Sequence, residues 1–169
     1  MNVLSRLAVL WKLRRCSAVG AGVRVRGRVA VRGGGAVHVG AGVTLDGRRA
    51  PIELHSFPGA EIVLEDGVRI DAGASIEACG AVRIGARSRV DEFCKIMDNH
   101  FHKLTGDRAS SPAPVPVQVG PDTQIGAHAV LLPGARIGRE VTIGPRTVVS
   151  RPVPDGSRIE GQPARTRPR

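Results

Sequence analysis

The chain repeats itself every six residues, and that period narrows the possible folds more than any other feature. Read in sixes from Val19, it gives VGAGVR, VRGRVA and VRGGGA, then, after a shift of two, VGAGVT from Val39. The pattern returns as IDAGAS at Ile70, IEACGA at Ile76, IGARSR at Ile84 and VDEFCK at Val90. After a break it resumes as IGAHAV at Ile125, LLPGAR at Leu131, IGREVT at Ile137 and IGPRTV at Ile143. Each hexamer has an aliphatic head, often a small second residue, and a small or β-branched fifth. A period of six suits neither the helical 3.6 nor one long strand of period two. It suits a short strand, a turn of roughly 120°, and a coil closing after three hexamers, about 18 residues. The heads then point inward, the fifth residues let the corners close, and glycine supplies positive φ in the turns. Successive coils would pair as parallel strands about 4.8 Å apart. The predicted fold is an all-β parallel solenoid of about seven coils, each touching only its neighbours.

Composition agrees with a narrow prism. The 169 residues suit one domain. There are three Phe, one Trp and no Tyr, so the core must be Val, Ile, Leu and Ala. Gly numbers 22 and Pro 12 without a Gly-X-Y period, which excludes collagen. Hydrophobic content of 41% is too high for a disordered polyelectrolyte. No apolar run approaches the roughly 20 residues of a spanning helix. Three cysteines, Cys16, Cys79 and Cys94, form no CxxC pair, so a reducing, cytoplasmic setting is expected rather than a disulfide framework. Residues 2–15 are apolar first and basic later, the reverse of a secretory signal.

The interruptions divide the chain. Residues 46–60 break the phase and read as a loop or irregular coil. Residues 99–116, NHFHKLTGDRASSPAPVP, are the clearest excursion, polar and Pro-rich, and long loops inside regular scaffolds are often functional. Residues 1–18 read as a helical cap, with Leu4, Leu7, Ala8 and Trp11 at helical spacing and Lys12, Arg14 and Arg15 in the last turn. Such a segment caps the open end of a solenoid or offers a peripheral contact for anionic lipid at the inner membrane face. The solenoid itself is expected over 19–161, and 162–169 form a basic tail.

These hexamers, the loop segment NHFHKLTGDR and the ending IGPRTVVSRPVPDGSRIEGQPAR resemble the hexapeptide-repeat acetyltransferases, whose fold is a left-handed β-helix. The nearest branch is the sugar O-acetyltransferases, including maltose and galactoside enzymes and the acyltransferases of surface-polysaccharide clusters. The likeness covers roughly residues 19–167. It implies acetyl-coenzyme A as co-substrate, a saccharide or sugar-nucleotide acceptor, no metal, and a homotrimer with active sites between neighbouring prisms.

The resemblance also implies a catalytic histidine at the excursion. His102 lies six residues after Ile96 and opens HKLTGDR; His100 fits when measured back from the re-entry at 116–120. His102 is preferred because loop length varies more than position on the preceding coil. A sugar hydroxyl ionises far above neutrality, so an imidazole with an ordinary pKa of about 6.5 must take its proton as it attacks the thioester. Asp98 is a candidate to orient that imidazole. By the same likeness Asp71 stands where an acceptor-binding Asn is common, and Ala127 and Pro145 where backbone groups hold the pantetheine arm. Pro145 has only a carbonyl to offer. Arg151 and Arg165 match residues facing the coenzyme's phosphates. Gln124 replaces a common Trp.

Other readings use the same residues. The same cleft and base would serve an amine, giving an N-acetyltransferase of an amino-sugar nucleotide. His100, His102 and His128 could serve zinc in a γ-type carbonic-anhydrase arrangement. A third reading is a non-catalytic scaffold. The net charge of +10 raises nucleic-acid binding, but aromatic platforms are lacking and the arginines are scattered along the repeats. That charge suits an anionic acceptor and the coenzyme.

Overall fold

The computed structural model describes residues 9, 11–102 and 111–161, and the backbone of 165–167. The architecture is a parallel β-solenoid of about seven turns that matches the left-handed β-helix. Three aliphatic ladders run up its interior, one per face. On the first face Val19, Val39, Leu64, Ile84, Val119 and Ile137 stack in register, and Ile137 bridges to Val153. On the second, Val25, Leu45, Ile70, Val90, Ile125, Ile143 and Ile159 do so. On the third, the ladder is Val31, Leu54, Ile76, Ile96, Leu131 and Val149. Every hexamer head read from the sequence lies on one of these ladders. Beyond the first coil they are almost completely buried, so truncating a rung such as Ile76 to Ala costs about 2–5 kcal/mol.

The fifth residues lie inside as well. Val23, Val43, Ala74, Ser88, Cys94, Thr123, Ala129, Ala135, Val141 and Thr147 are all buried. Ser88 and Thr123 tie coils together, whereas the buried Thr147 hydroxyl meets no partner among the described residues. Ser88 Oγ donates to the Gly120 carbonyl at 2.9 Å and accepts the Thr123 amide at 3.0 Å, and Thr123 Oγ1 donates to the Gly138 carbonyl at 3.0 Å.

Glycine has two separate jobs in the corners. The fourth residue takes positive φ. Gly fills it at Gly22, Gly42 and Gly156, but Arg87, Phe93, Asp122, His128, Glu140 and Arg146 also adopt it. The second residue has ordinary φ, and there the lack of a side chain lets one coil approach the next. A Cβ on Gly120 would stand 2.5 Å from the Gly138 carbonyl carbon.

Two expectations need correction. Coils of 18 residues occur only late, as in Gln118 to Arg136 or Val130 to Val148. Earlier registers such as Glu61 to Ala81 or Lys95 to Ser75 advance by 20. The added pair widens the first face and contributes another inward rung, Val37, Ile62, Val82 and Val117. The segment 46–60 is largely not a loop. It belongs mostly to the strand Thr44–Ser56, which turns a corner while paired to Arg24–Gly33. Gly27 pairs with Gly47 and Val29 with Ile52, so residues 48–51 bulge out opposite Arg28. The bulge absorbs Pro51, which has no amide for the ladder.

The helix expected over 2–15 is not established. Residues 1–8 and 10 lie outside the described part, and Val9, Trp11 and Lys12 form one helical turn, with the Leu13 amide donating to the Val9 carbonyl at 3.0 Å. Leu13 is buried with the first coils. Part of the expected tail returns: Arg165–Arg167 pairs antiparallel with Arg158–Glu160.

Candidate active site

The excursion leaves from the edge between the third and first faces. The strand Lys95–Met97 ends the third face of its coil, and the chain re-enters the first face at Val117–Val119. Residues 103–110 lie outside the described part, but both ends of the excursion are fixed. The buried Asp98 carboxylate accepts the Cys79 amide at 2.8 Å and the Gly80 amide at 2.7 Å. Its carbonyl accepts the Val115 amide at 2.7 Å, and the Val115 carbonyl accepts the Gly134 amide at 3.0 Å. Departure and return are thereby held together and to the coils on either side.

Asp98 was a candidate to orient an imidazole. Both of its oxygens instead satisfy backbone amides of the neighbouring corner, which is a structural task. The next residue, Asn99, is buried too. Its Nδ2 donates to Cys79 Sγ at 2.9 Å, and its Oδ1 accepts the Phe101 amide at 2.7 Å. Phe101 has φ of 57°, and the His102 amide donates to the His100 carbonyl at 2.6 Å. Residues 100–102 therefore form a γ-turn of the rare positive-φ kind, with a bulky residue at its centre. Strain of this sort persists only where the surroundings over-determine it, and it concentrates at functional sites. His100 and His102 flank that turn, and both are exposed. Among the described residues no hydrogen bond to either imidazole is present.

The other candidates divide between two edges. Arg151 stands on the same edge as the histidines, further up the stack, and is exposed. Asp71, Ala127 and Pro145 stand on the edge between the second and third faces. The carbonyl of Ala127 accepts the Arg146 amide at 2.9 Å, while its own N–H meets no acceptor among the described residues. Pro145 is exposed. The side chain of Arg165 lies outside the described part, although its backbone is in the last strand. His128 shares the second edge, where it stacks on Phe93 with ring centres 5.2 Å apart. A third face therefore lies between the histidines of the excursion and the Asp71, Ala127 and Pro145 edge of the same chain.

Asp71 is buried in an ionic cleft of about 500 Å³ lined by Asp46, Arg48, Arg49, Arg69, Arg89 and Glu92, among others. Arg69 Nε donates to Asp71 Oδ1 at 2.9 Å and an Arg89 terminal nitrogen to Oδ2 at 3.0 Å. Arg48 grips Asp46 with two bonds of 2.8 Å each, which holds that carboxyl below its ordinary range. The bulge at 48–51 delivers Arg48 and Arg49 here. No sequence signal announced this cleft, because a bulge inside a strand reads locally as a loop. Among the described residues no group of three His, Cys, Asp or Glu is placed to hold a metal ion.

Comparison with known proteins gives consistent matches. Residues 116–151 match the family model of the bacterial transferase hexapeptide, six repeats. WbbJ of Escherichia coli (strain K12), which bears the name of a lipopolysaccharide biosynthesis O-acetyl transferase, is 28% identical over 124 residues. That match takes in 68% of this chain and 63% of WbbJ, so the chain spans less than two thirds of that relative's length. Among solved structures, a serine-to-alanine variant of AntD, an N-acyltransferase from Bacillus cereus in complex with dTDP-4-amino-4,6-dideoxyglucose and coenzyme A, superposes with a TM-score of 0.75. The identity is 16%, over 99% of this chain and 89% of AntD. A maltose O-acetyltransferase from Clostridium difficile 630 superposes with a TM-score of 0.63 at 20% identity, over 99% of this chain and 75% of that one. The stacked hexamers and the three interior ladders agree with these matches: residues 116–151 carry the hexapeptide repeat of the bacterial transferases, and the chain shares the fold of the solved acyltransferases.

Proposed function

We propose that the chain is an acetyl-coenzyme-A-dependent acetyltransferase that acts on a hydroxyl of a saccharide or sugar nucleotide. The observation that carries this reading is the pair His100 and His102, displayed on either side of a strained turn whose both ends are tied to the solenoid. One imidazole, His102 by preference, takes the acceptor's hydroxyl proton as the oxygen attacks the thioester carbonyl. The tetrahedral adduct collapses, the carbon–sulfur bond breaks, and the same proton passes to the departing thiolate. No acyl-enzyme is needed. Binding of a coenzyme by AntD and the naming of WbbJ and the maltose enzyme as O-acetyl transferases support the reaction class.

The second edge supports a place for the coenzyme. The N–H of Ala127, which meets no acceptor among the described residues, suits a carbonyl of the pantetheine arm, and Pro145 offers its own carbonyl. Arg165, and across the subunit boundary Arg151 from the histidine edge, are assigned to the coenzyme's phosphates. Because a whole face separates this edge from the histidines in one chain, a complete site requires a neighbouring subunit, and a homotrimer is the assembly we assign. Asp71 lies in the ionic cleft of the second edge, where it would meet the acceptor only through its arginine partners.

Amide formation on an amino-sugar nucleotide is the second reading, favoured by the likeness to AntD, since the same base would serve an amine. At the first coil, Trp11 is 67% exposed with Arg14 over its ring at 4.8 Å. Lys12, Arg15 and Arg32 lie around it. These residues support a peripheral contact with anionic lipid.

The test is release of free thiol from acetyl-coenzyme A by the purified full chain, offered sugars, sugar nucleotides, amino-sugar nucleotides and lipid-linked glycans. Acceptor-dependent release that yields an alkali-labile ester supports O-acetylation, and an alkali-stable amide supports the second reading. No acceptor-dependent release across the panel would count against both.

A further inference from the structure

The edge that carries the histidines also carries an aromatic shelf. His55 and Phe57 stack with ring centres 4.2 Å apart and planes 17° from parallel. Phe101 meets Phe57 at 6.0 Å with its plane tilted by 59°. In a chain with three Phe and no Tyr, two of the Phe rings gather at this one place. Phe101 remains 40% exposed. Its backbone is held from both sides: Asn99 Oδ1 accepts its amide, and its carbonyl accepts Ser111 Oγ at 2.9 Å. Phe57 is anchored by donating its amide to the Ala78 carbonyl at 2.9 Å.

A bulky ring at positive φ is uncommon; Phe101 shares it with the corner residue Phe93, but Phe101 lies outside the hexamer corners. Leaving that ring partly in water forgoes burial energy as well. Both costs fall on the residue between the two candidate bases. A ring presented in this way, on a shelf of further rings, offers a flat apolar face beside an imidazole. Glu77 stands opposite His55 in the parallel ladder, where its Oε1 accepts the Ser75 hydroxyl at 3.3 Å.

We propose that the His55–Phe57–Phe101 shelf binds the reacting pyranose of the acceptor through its C–H face, with Glu77 receiving a hydroxyl at the rim. A pyranose has an apolar face of axial C–H bonds and a polar perimeter, which suits an aromatic platform edged by a carboxylate. The alternative ring, a nucleobase, would be separated from the reacting sugar by a diphosphate. Phe101 lies between the two histidines in sequence, which favours the reacting ring over a more distant one. The proposal rests on the transferase reading and adds to it the wall that orients the acceptor.

The experiment is saturation-transfer NMR on the full chain with methyl α-D-glucopyranoside and methyl β-D-galactopyranoside, comparing wild type with Phe101→Leu, Phe57→Leu and Phe101→Tyr. The shelf predicts transfer concentrated on the C–H protons of one ring face. It predicts affinity roughly five- to tenfold weaker in each Leu variant and near wild type in Phe101→Tyr, which keeps the ring. The oligomer, read by light scattering, should be unchanged. Absence of transfer to both glycosides, equal transfer in the Leu variants, or dissociation of the oligomer by Phe101→Leu would overturn the shelf. The last outcome would make it a subunit contact. Face-selective transfer in a protein that releases no thiol would keep the shelf and remove the transferase reading. Thiol release with an acceptor KM unmoved by both Leu variants would do the reverse.

Discussion

The Asp98 carboxylate caps Gly80: Oδ2 accepts the Gly80 amide at 2.7 Å while Oδ1 takes the preceding Cys79 amide at 2.8 Å. One buried side chain thus closes the corner of the coil below and starts the excursion above it. Asp98→Ala strands two corner amides and should cost about 3 kcal/mol. Asp98→Asn, which keeps one acceptor oxygen, should cost about half as much. Thermal unfolding measures both. Because the carboxylate serves the backbone, neither variant should displace the pH profile of turnover, as loss of an imidazole-orienting group would.

The two kinds of corner glycine should respond differently to a methyl group. Gly120→Ala drives a Cβ to within 2.5 Å of the Gly138 backbone, which cannot move aside, and should cost about 3 kcal/mol. Gly156 has φ of 66° and open space around it. Gly156→Ala should therefore cost only the conformational term, about 1–2 kcal/mol. Gly156→Asn should recover much of that, because Asn tolerates the left-handed region, whereas no side chain should rescue Gly120. Denaturant titration of the four proteins tests the distinction.

Burial pushes the Cys94 thiol from its ordinary 9.0 up to about 12 and the Cys16 thiol to about 11. The neutral thiol is the native form, so the associated stability is complete below pH 9 and is lost as pH rises toward 12. The melting temperature should fall between pH 9 and 11 in a chain with no Tyr to titrate beside them. Cys94→Ala should start lower, for loss of packing, and decline less steeply over that range. A melt series from pH 8 to 11 checks the sign.

The separation of the histidines from the edge of Ala127 and Pro145 predicts an assembly. Light scattering should return three times the chain mass, and a stable monomer with full transferase activity would contradict a site shared between subunits.

Much of the fold was legible in the sequence. Heads such as Ile125, Leu131, Ile137 and Ile143 recur every six residues, and all lie on the ladders. What escaped were features that leave the hexamer rule intact while altering the count between heads. The eight residues from Val31 to Val39 read as a shift of phase, but they include a wider face with Val37 as an added rung. Residues 46–60 read as a loop or irregular coil, yet a bulge lets the strand Thr44–Ser56 pass through Gly47 and Pro51. The position of the excursion was visible, but the task of Asp98 was not, since its partners are backbone amides 18 and 19 residues away. Asn99 accepts the amide two residues ahead, a habit of Asn that marks a turn in the sequence but not the positive φ of Phe101 that follows.

The claim on which the functional account depends is that an imidazole at the excursion removes the acceptor's proton. It is tested most directly by turnover of His102→Ala and His100→Ala beside wild type, at saturating acetyl-coenzyme A and a common oligomeric state. The account predicts that one of the two variants loses at least about 100-fold in turnover, with coenzyme binding retained. Wild-type turnover in both variants would contradict it.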